Sequence, residues 1–565
     1  MKIRAAFFNK TNLAEIIVLL ILFLLLATIS YSRIDESMSV VKYHLQSGFP
    51  SFINGFYDFQ HSPGAFLACT LTLPQGNSAD YGAAAFYLIP LFAFSKLFGG
   101  LSLGTMCLFT VTSSLVLLLV LYGWIRKYWG REVAFFAVFF LGYSAVFQEI
   151  ARSGSYISFN VAFAAFWIFC LYEISKSRRS WPYLFLGVLT GAAFYVYGAS
   201  RCLFLVACAH LILLTNDSRG RKFLWFFCGM SASIFPGILL KICTVKTSYH
   251  GLHRLWLFFD ESHVNGFEEL KLNLGSFLNR MLGGEQRIEP IVANDFHAHF
   301  LNRFLVIPLL AGMVHAFRRR NESKYALLWL TSLVIYLIPV FIASSPGYFE
   351  ARRSLLYVIP TCVFVGFGTV ELINFVRSVP NVFFKRVLWA VFFAGILWIV
   401  SSEFMYFHGR ILRSSRDLGL LEFARKIDKA EIHGEIHYLQ ARSVDLSPNQ
   451  ISIYEVSPEP PILQIALMRG GKSLSQVVDM NDWTTVDLKS KAFYLVKSPL
   501  ISQKEFDRLC LENGLHYELL VQSPVINWPR SKSPKLPKLR DAAFKLYCIK
   551  KASKTSLDEQ IGKFS

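Results

Sequence analysis

The chain has 565 residues, of which 54% are hydrophobic and 16% aromatic, with a mean hydropathy of +0.42 and a formal net charge of +19. This composition excludes an ordinary soluble domain and a disordered chain; repeated apolar runs long enough to cross a bilayer account for it. In such a protein an excess of Lys and Arg marks cytoplasmic loops rather than nucleic-acid binding, and there is no Gly-rich phosphate loop or zinc-type Cys/His spacing.

In chain order, the basic Met1–Lys10 precedes the apolar run Leu13–Ser30. That run is too long for a signal peptide and lacks a small-residue cleavage site before Asp35, so it reads as a retained helix. A polar loop, 32–81, follows. Tyr81–Leu97 is apolar but interrupted by Pro90 and reads as an interfacial helix rather than a span. Leu103–Trp124, Val133–Phe147, Ser155–Tyr172, the shorter Tyr183–Tyr197 and Leu203–Leu214, and Phe223–Ile242 read as spans. After a second large loop, 246–302, come Phe304–Phe317, Tyr325–Ile342, Leu355–Phe375 and Val387–Phe404. The expectation is an α-helical polytopic membrane protein with about eleven transmembrane helices. If Tyr81–Leu97 does not cross, the clusters at Arg126–Arg131, Lys176–Arg179, Arg219–Lys222, Arg318–Lys324 and Arg377–Arg386 all share the cytoplasmic side with the N-terminus. Within the second loop, Leu270, Leu274, Phe277 and Met281 have helical spacing.

Two regions are expected: residues 1–412 as the transmembrane catalytic domain and 413–565 as an exterior α/β domain. In the latter, GEIHYLQ, QISIYEV, AFYLVK, HYELLVQ and FKLYCIK read as strands, and Pro461–Met480 and Ser502–Asn513 as helices. Cys510 and Cys548 could pair if this region is exported. The cysteines within the apolar runs read as small hydrophobes.

Candidate chemistry collects on the expected exterior side. Asp35 and Glu36 open the first loop, with Asp58 and His61 further along it. Arg152 falls in the loop Gln148–Ser155, Arg201 between the two short runs, Arg352 and Arg353 before a late span, and His297 and His299 near the end of the second loop. Arginine matches phosphate oxygens with a permanently charged planar fork. A carboxylate can take the proton of an attacking hydroxyl. Simpler roles compete: the arginines can snorkel to the interface, Asp35 and Glu36 can cap a helix, and His297 and His299 lack an identifiable third metal ligand. Tyr195 and Tyr197 read as packing residues or as a platform for a sugar ring.

Five stretches together resemble a family. They are DES after the first helix, YGAAAFYLIPLFAFSKLFGG, QEIARSGSYISFNVAFAAF, LFLGVLTGAAFYVYGASRCLFL and EARRSLLYVIPTCVFVGFG, spread over residues 1–375. In order and spacing the chain resembles GT-C-fold integral membrane glycosyltransferases of the protein O-mannosyltransferase and aminoarabinose-transferase-like group. The resemblance implies an inverting transferase that takes a sugar from a polyprenyl-phosphate-linked donor on the exterior face. Asp35 would be the base or acceptor-positioning group, with Glu36 beside it. Arg201, Arg352, Arg353 and Arg152 would bind the donor phosphate, and Asp58, His61, Tyr195, Tyr197, His297 and His299 are candidate substrate contacts. No metal or other cofactor is assigned. The expected partners are the lipid-linked donor and membrane lipids, with the acceptor open and no nucleic acid. The expected location is the bacterial inner membrane, with the C-terminal domain periplasmic. The competing functions are a ligase joining a lipid-linked glycan to a cell-envelope acceptor, and a lipid or sugar transporter or flippase. A transporter predicts internal repeats and polar groups at mid-membrane depth, and no such repeat is evident.

Overall fold

The computed structural model describes residues 20–28, 56–64, 66–67, 85–101, 103–152, 156–196, 198–215, 217–244, 301–341, 355–407, 436–440, 474–479, 493–497, 503–522 and 545–551, with single positions within 271–281 and 423–427. These divide into two compact units. The first ends its described residues at Phe407 and the second begins at Phe423.

The first unit is helical: α1 Ala85–Leu97, α2 Leu103–Trp129, α3 Arg131–Tyr143, α4 Ala145–Arg152, α5 Tyr156–Ser175, α6 Pro182–Ala193, a 3-10 turn Gly198–Arg201, α7 Cys202–Leu213, α8 Arg219–Thr244, a 3-10 turn Arg303–Leu305, α9 Val306–Arg318, α10 Ser323–Phe341, α11 Val358–Ser378 and α12 Val382–Met405. Among the described residues, four helices are long and apolar enough to cross a membrane: Thr105–Trp129, Tyr156–Ser175, Leu355–Ser378 and Val382–Met405. The expected span Val133–Phe147 is instead a broken one. Helix α3 stops at Tyr143 and α4 continues at an angle of 65°. Helices α6 and α7 are shorter apolar helices joined by the Gly198–Arg201 turn.

Tyr87 and Phe94, seven residues apart, both touch the ring of Phe109, at centroid distances of 5.9 and 5.5 Å. Two turns of α1 therefore meet one ring near the start of α2. At about 1.5 Å per residue α1 is shorter than the hydrocarbon layer. Phe56, Phe59 and Phe66 of the first loop pack on Phe92 of the same helix. The described part of the first helix inserts Leu26 against Leu118 of α2 and Gly142 of α3. In the second large loop, Phe277 and Met281 are buried, and Phe277 meets Tyr336 and Tyr357.

Among the described residues three helix pairs approach backbone to backbone, one of them through Gly366 of α11 and the Val133 carbonyl of α3. A Cβ on Gly312 of α9 would collide with the Phe364 carbonyl, and one on Gly368 of α11 with the Pro308 carbonyl. Gly187 of α6 and Gly229 of α8 stand in the same relation to Phe226 and Leu184. Apolar helices in lipid gain little from the hydrophobic effect and associate by such close packing of small residues. Helix α12 lies outside this packing: 11% of its span is buried, against 83% for α11. Asn381 caps it, accepting from the amides of Phe383 and Phe384 at 2.9 and 3.3 Å.

The second unit holds a five-stranded sheet of β1 Ile436–Gln440, β2 Leu474–Asp479, β3 Phe493–Lys497, β4 Leu515–Gln522 and β5 Lys545–Lys551, in the order β2-β1-β3-β5-β4. Strand β1 pairs in parallel with β2 and β3, while β5 runs antiparallel to β3 and β4. Helix α13, Gln503–Glu512, packs Phe506 and Cys510 onto Leu495, Tyr547 and Ile549. Gly514, at φ +62°, turns the chain into β4, a left-handed position that suits glycine after a helix. One reading is corrected: Leu474–Asp479, expected within a helix, is a strand. Its Val477–Val478 pair favours extended backbone, and parallel pairing with β1 decides between the two conformations. The stretch QISIYEV lies outside the described residues. Cys510 and Cys548 are both free and buried.

Gly312→Ala and Gly368→Ala should each lower stability by about 1–3 kcal/mol, read as the thermal unfolding midpoint in detergent. Gly395→Ala, which meets open space on α12, should leave it unchanged. Burial pushes the Cys510 thiol up to about 12, so at pH 8 maleimide should label Cys510 only after denaturation. Rapid labelling of the folded protein would contradict the packing of α13.

Candidate active site

Among the described residues, charged side chains form two bonded groups within the helical unit. At one end three basic segments interlock. Lys127 of α2 forms a 2.8 Å ion pair with Glu173 of α5, and Tyr128 donates to the same carboxylate at 2.7 Å. Tyr172 donates to the Lys324 carbonyl at 3.1 Å, and Lys324 returns a bond to the Tyr128 carbonyl at 3.3 Å. His315 of α9 meets Glu371 of α11 at 2.8 Å. The clusters around Lys127, Lys176 and Lys324 therefore occupy one level of the bundle.

At the opposite end, Glu403 of α12 is buried. Its Oε2 accepts the Ala145 amide at 2.6 Å and its Oε1 accepts from Asn302 Nδ2 at 2.7 Å. The first contact places a carboxylate on the N-terminus of α4, where unpaired amides and the helix dipole favour negative charge. Asn302 uses its own oxygen to accept from the Phe304 amide at 3.1 Å, which starts the turn into α9. Arg152, read from sequence as a loop residue, is instead the last residue of α4 and fully buried. Its guanidinium lies 5.1 Å from the Phe407 ring centroid, a cation–π contact. Thr110 donates to the Ala151 carbonyl at 2.8 Å, tying α2 to the same turn. Helix α4 is thus held at its start by α12 and at its end by α2, and Arg152 does not snorkel.

One helix further, Asn160 of α5 and Ser200 of the Gly198–Arg201 turn are joined by a hydrogen bond from the Ser200 hydroxyl to Asn160 Oδ1. Both residues are buried. Among the described residues Asn160 Nδ2 has no hydrogen-bond partner, and neither has Nε of Arg201, next in sequence to Ser200. Arg201 is half-buried, with its guanidinium 5.8 Å from the Phe194 ring centroid, and burial holds its pKa below the ordinary arginine value. Tyr195 is buried and donates to the Ile234 carbonyl at 3.1 Å. Its ring stacks with Phe86 of α1, with centroids 6.3 Å apart. This hydroxyl is committed to α8, so the residue positions the turn rather than presenting a free polar edge.

Of the other expected residues, Asp58 and His61 lie on the short helix at 56–61. His61 is exposed and stacks on Tyr57 at 4.2 Å, with Nδ1 2.9 Å from the Tyr57 carbonyl oxygen. Asp35, Glu36, Tyr197, His297, His299, Arg352 and Arg353 lie outside the described residues. Among the described residues no group of three His, Cys, Asp or Glu could hold a metal ion. Sequence reasoning missed Asn160, Ser200, Asn302 and Glu403. The one available signal was their polarity beside apolar runs, and their partners are 40 to 258 residues away in the chain.

Residues 82–236 match the family model described as dolichyl-phosphate-mannose-protein mannosyltransferase. That stretch contains Arg152, Asn160, Ser200 and Arg201. No curated protein matches the sequence. Among solved structures, the chain is similar to ArnT from Cupriavidus metallidurans bound to undecaprenyl phosphate, at 12% identity and a TM-score of 0.48, covering 82% of this chain and 87% of that one. It is also similar to the archaeal oligosaccharyltransferase AglB from Archaeoglobus fulgidus, in complex with an inhibitory peptide and a dolichol-phosphate, at 10% identity and a TM-score of 0.43, covering 87% and 70%.

The Ala145 amide and Asn302 Nδ2 donate to different oxygens of Glu403, and a carboxamide offers one acceptor oxygen, so its NH2 would confront one of them. Glu403→Ala should cost about 3 kcal/mol, and Glu403→Gln about half of that, measured as thermal unfolding in detergent. A glutamine variant as stable as wild type would show that the two contacts do not act together.

Proposed function

On the footing that this chain is a GT-C-fold membrane glycosyltransferase, we propose that it moves a sugar, with inversion, from a polyprenyl-phosphate-linked donor to an acceptor at the exterior end of the bundle. The observation that carries this reading is Arg201. A half-buried guanidinium with an unfilled donor stands within the family-matched stretch. A desolvated guanidinium with open donors suits a ligand that is anionic and rich in acceptors, and a lipid phosphate is both.

The interlocked Lys/Arg layer marks the cytoplasmic end by the distribution of basic residues. The end carrying Arg201, Asn160 and Glu403 then faces the exterior, which is the periplasm for a bacterial inner membrane. In the reaction, the acceptor hydroxyl attacks the anomeric carbon on the face opposite the phosphate. The bond from that carbon to the phosphate oxygen breaks, the hydroxyl proton passes to the Asp35 carboxylate, and polyprenyl phosphate departs with one additional negative charge. Arg201, with Arg352 and Arg353, neutralises that charge, and Glu36 supports Asp35. Arg152, buried against Phe407 at the end of α4, is a further candidate for the phosphate. Asp58, His61, Tyr197, His297 and His299 are left as candidate contacts to sugar or acceptor. Residues 413–565 form a separate exterior domain in this reading.

The test is transfer from synthetic polyprenyl-phosphate sugars to candidate hydroxyl acceptors, with the product anomer read by NMR. Asp35→Asn should lower kcat by about 10²–10⁴, and Arg201→Ala should lower kcat/KM by about 10². Unchanged turnover in either variant, with folding intact, removes that residue from the mechanism. A product of retained configuration overturns inversion.

A further inference from the structure

Asn160 has no role in the chemistry above, yet it is among the most completely buried polar side chains of the helical unit, at 1% exposure. Its carboxamide has two functional ends. The oxygen accepts from Ser200, which is itself buried. The nitrogen carries two N–H donors and has no partner. A buried polar group left unsatisfied costs about 1–3 kcal/mol, so such a group in a native fold calls for an explanation. The residue after Ser200 is Arg201, whose Nε is likewise an unfilled donor. The two unfilled groups are therefore linked through one hydrogen bond and one peptide unit, and both can only donate.

Resting on the donor-phosphate reading of Arg201, we infer that Asn160 is a second binding group for the donor, its carboxamide N–H bonds directed to the phosphate oxygens that Arg201 attracts. The Ser200 hydroxyl fixes the direction of the amide. By occupying the carbonyl oxygen it turns the NH2 toward the ligand, and it ties the arginine-bearing turn to α5 so that both donors keep their register. Neutrality matters at this position. Aspartate has the same shape and would still accept from Ser200, but it would place a negative charge beside Arg201, satisfying the guanidinium internally and repelling phosphate.

This last point gives opposite rank orders for a ligand role and a packing role. The measurement is equilibrium binding of a short-chain polyprenyl monophosphate to the full-length protein in detergent, for wild type, Asn160→Asp, Asn160→Ala, Ser200→Ala and Arg201→Ala, with thermal unfolding alongside. A donor to phosphate predicts affinity about tenfold to a hundredfold weaker for Asn160→Ala, weaker again for Asn160→Asp, and a smaller loss for Ser200→Ala. A packing role predicts the reverse: Asn160→Asp close to wild type, and Asn160→Ala indistinguishable from Ser200→Ala. That result overturns the inference. If Asn160→Asp does not fold, the comparison of Asn160→Ala with Ser200→Ala decides alone. Loss of affinity in Arg201→Ala with both Asn160 variants unaffected overturns the role of Asn160 and leaves the donor-phosphate reading standing. Undiminished affinity in Arg201→Ala removes both.

Discussion

The expense of placing charge in hydrocarbon organises this protein. An ionised side chain at the bilayer centre costs several kcal/mol, and every backbone polar group there must be satisfied within the helices. The charged residues accordingly leave the middle of the bundle and collect at its ends. At one end they form a mutually bonded layer around Glu173 and Lys324. At the other, among the described residues, Arg152 and Glu403 are buried and Arg201 is half-buried. The first is a scaffold, and the second is the proposed working end. In the first, Lys127, Lys176 and Lys324 each meet a carboxylate, a carbonyl or an aromatic face. In the second, Arg201 and Asn160 hold donors in reserve.

The working end is held by hydrogen bonds that cross long stretches of sequence. Glu403 joins α12 to the start of α4 and to the residue that opens the turn into α9. Helix α12 is otherwise largely exposed, and this attachment lies at the level of the candidate site. The backbone contacts at Gly312 and Gly368 supply the rigidity behind it. Close packing fixes the helices, and the polar contacts then set where a few side chains stand, which is how a rigid scaffold presents a preorganised site.

Much of the architecture is legible in the sequence. The long apolar runs, the basic segments between them, the proline-interrupted helix at Ala85–Leu97 and four of the five strands follow from hydropathy and residue type. What misled was local. Val133–Phe147 has the composition of a single span, but Ser144 and the Glu403 cap allow the chain to stop and restart at an angle. Leu474–Asp479 sits in a stretch of mixed character, and its strand state depends on pairing with β1. Arg201 could be found as an arginine at the mouth of a Gly-rich hairpin. Arg152 could be found too, though not its burial, because only the approach of Phe407 closes over it.

Sequence alone determined the class of molecule and where charge must go. Hydrophobic length and Lys/Arg distribution are properties of contiguous segments, and the bilayer acts on each segment separately. Tertiary structure decided which of the remaining polar groups are satisfied. Whether Asn160 is spent on Ser200 or left with open donors, and whether Glu403 is a stray carboxylate or a helix cap, depends on residues 40 and 258 positions away. Hydrogen bonds form over about 3 Å and require direction, so no pattern within one segment can specify them. They exist only once the helices have packed.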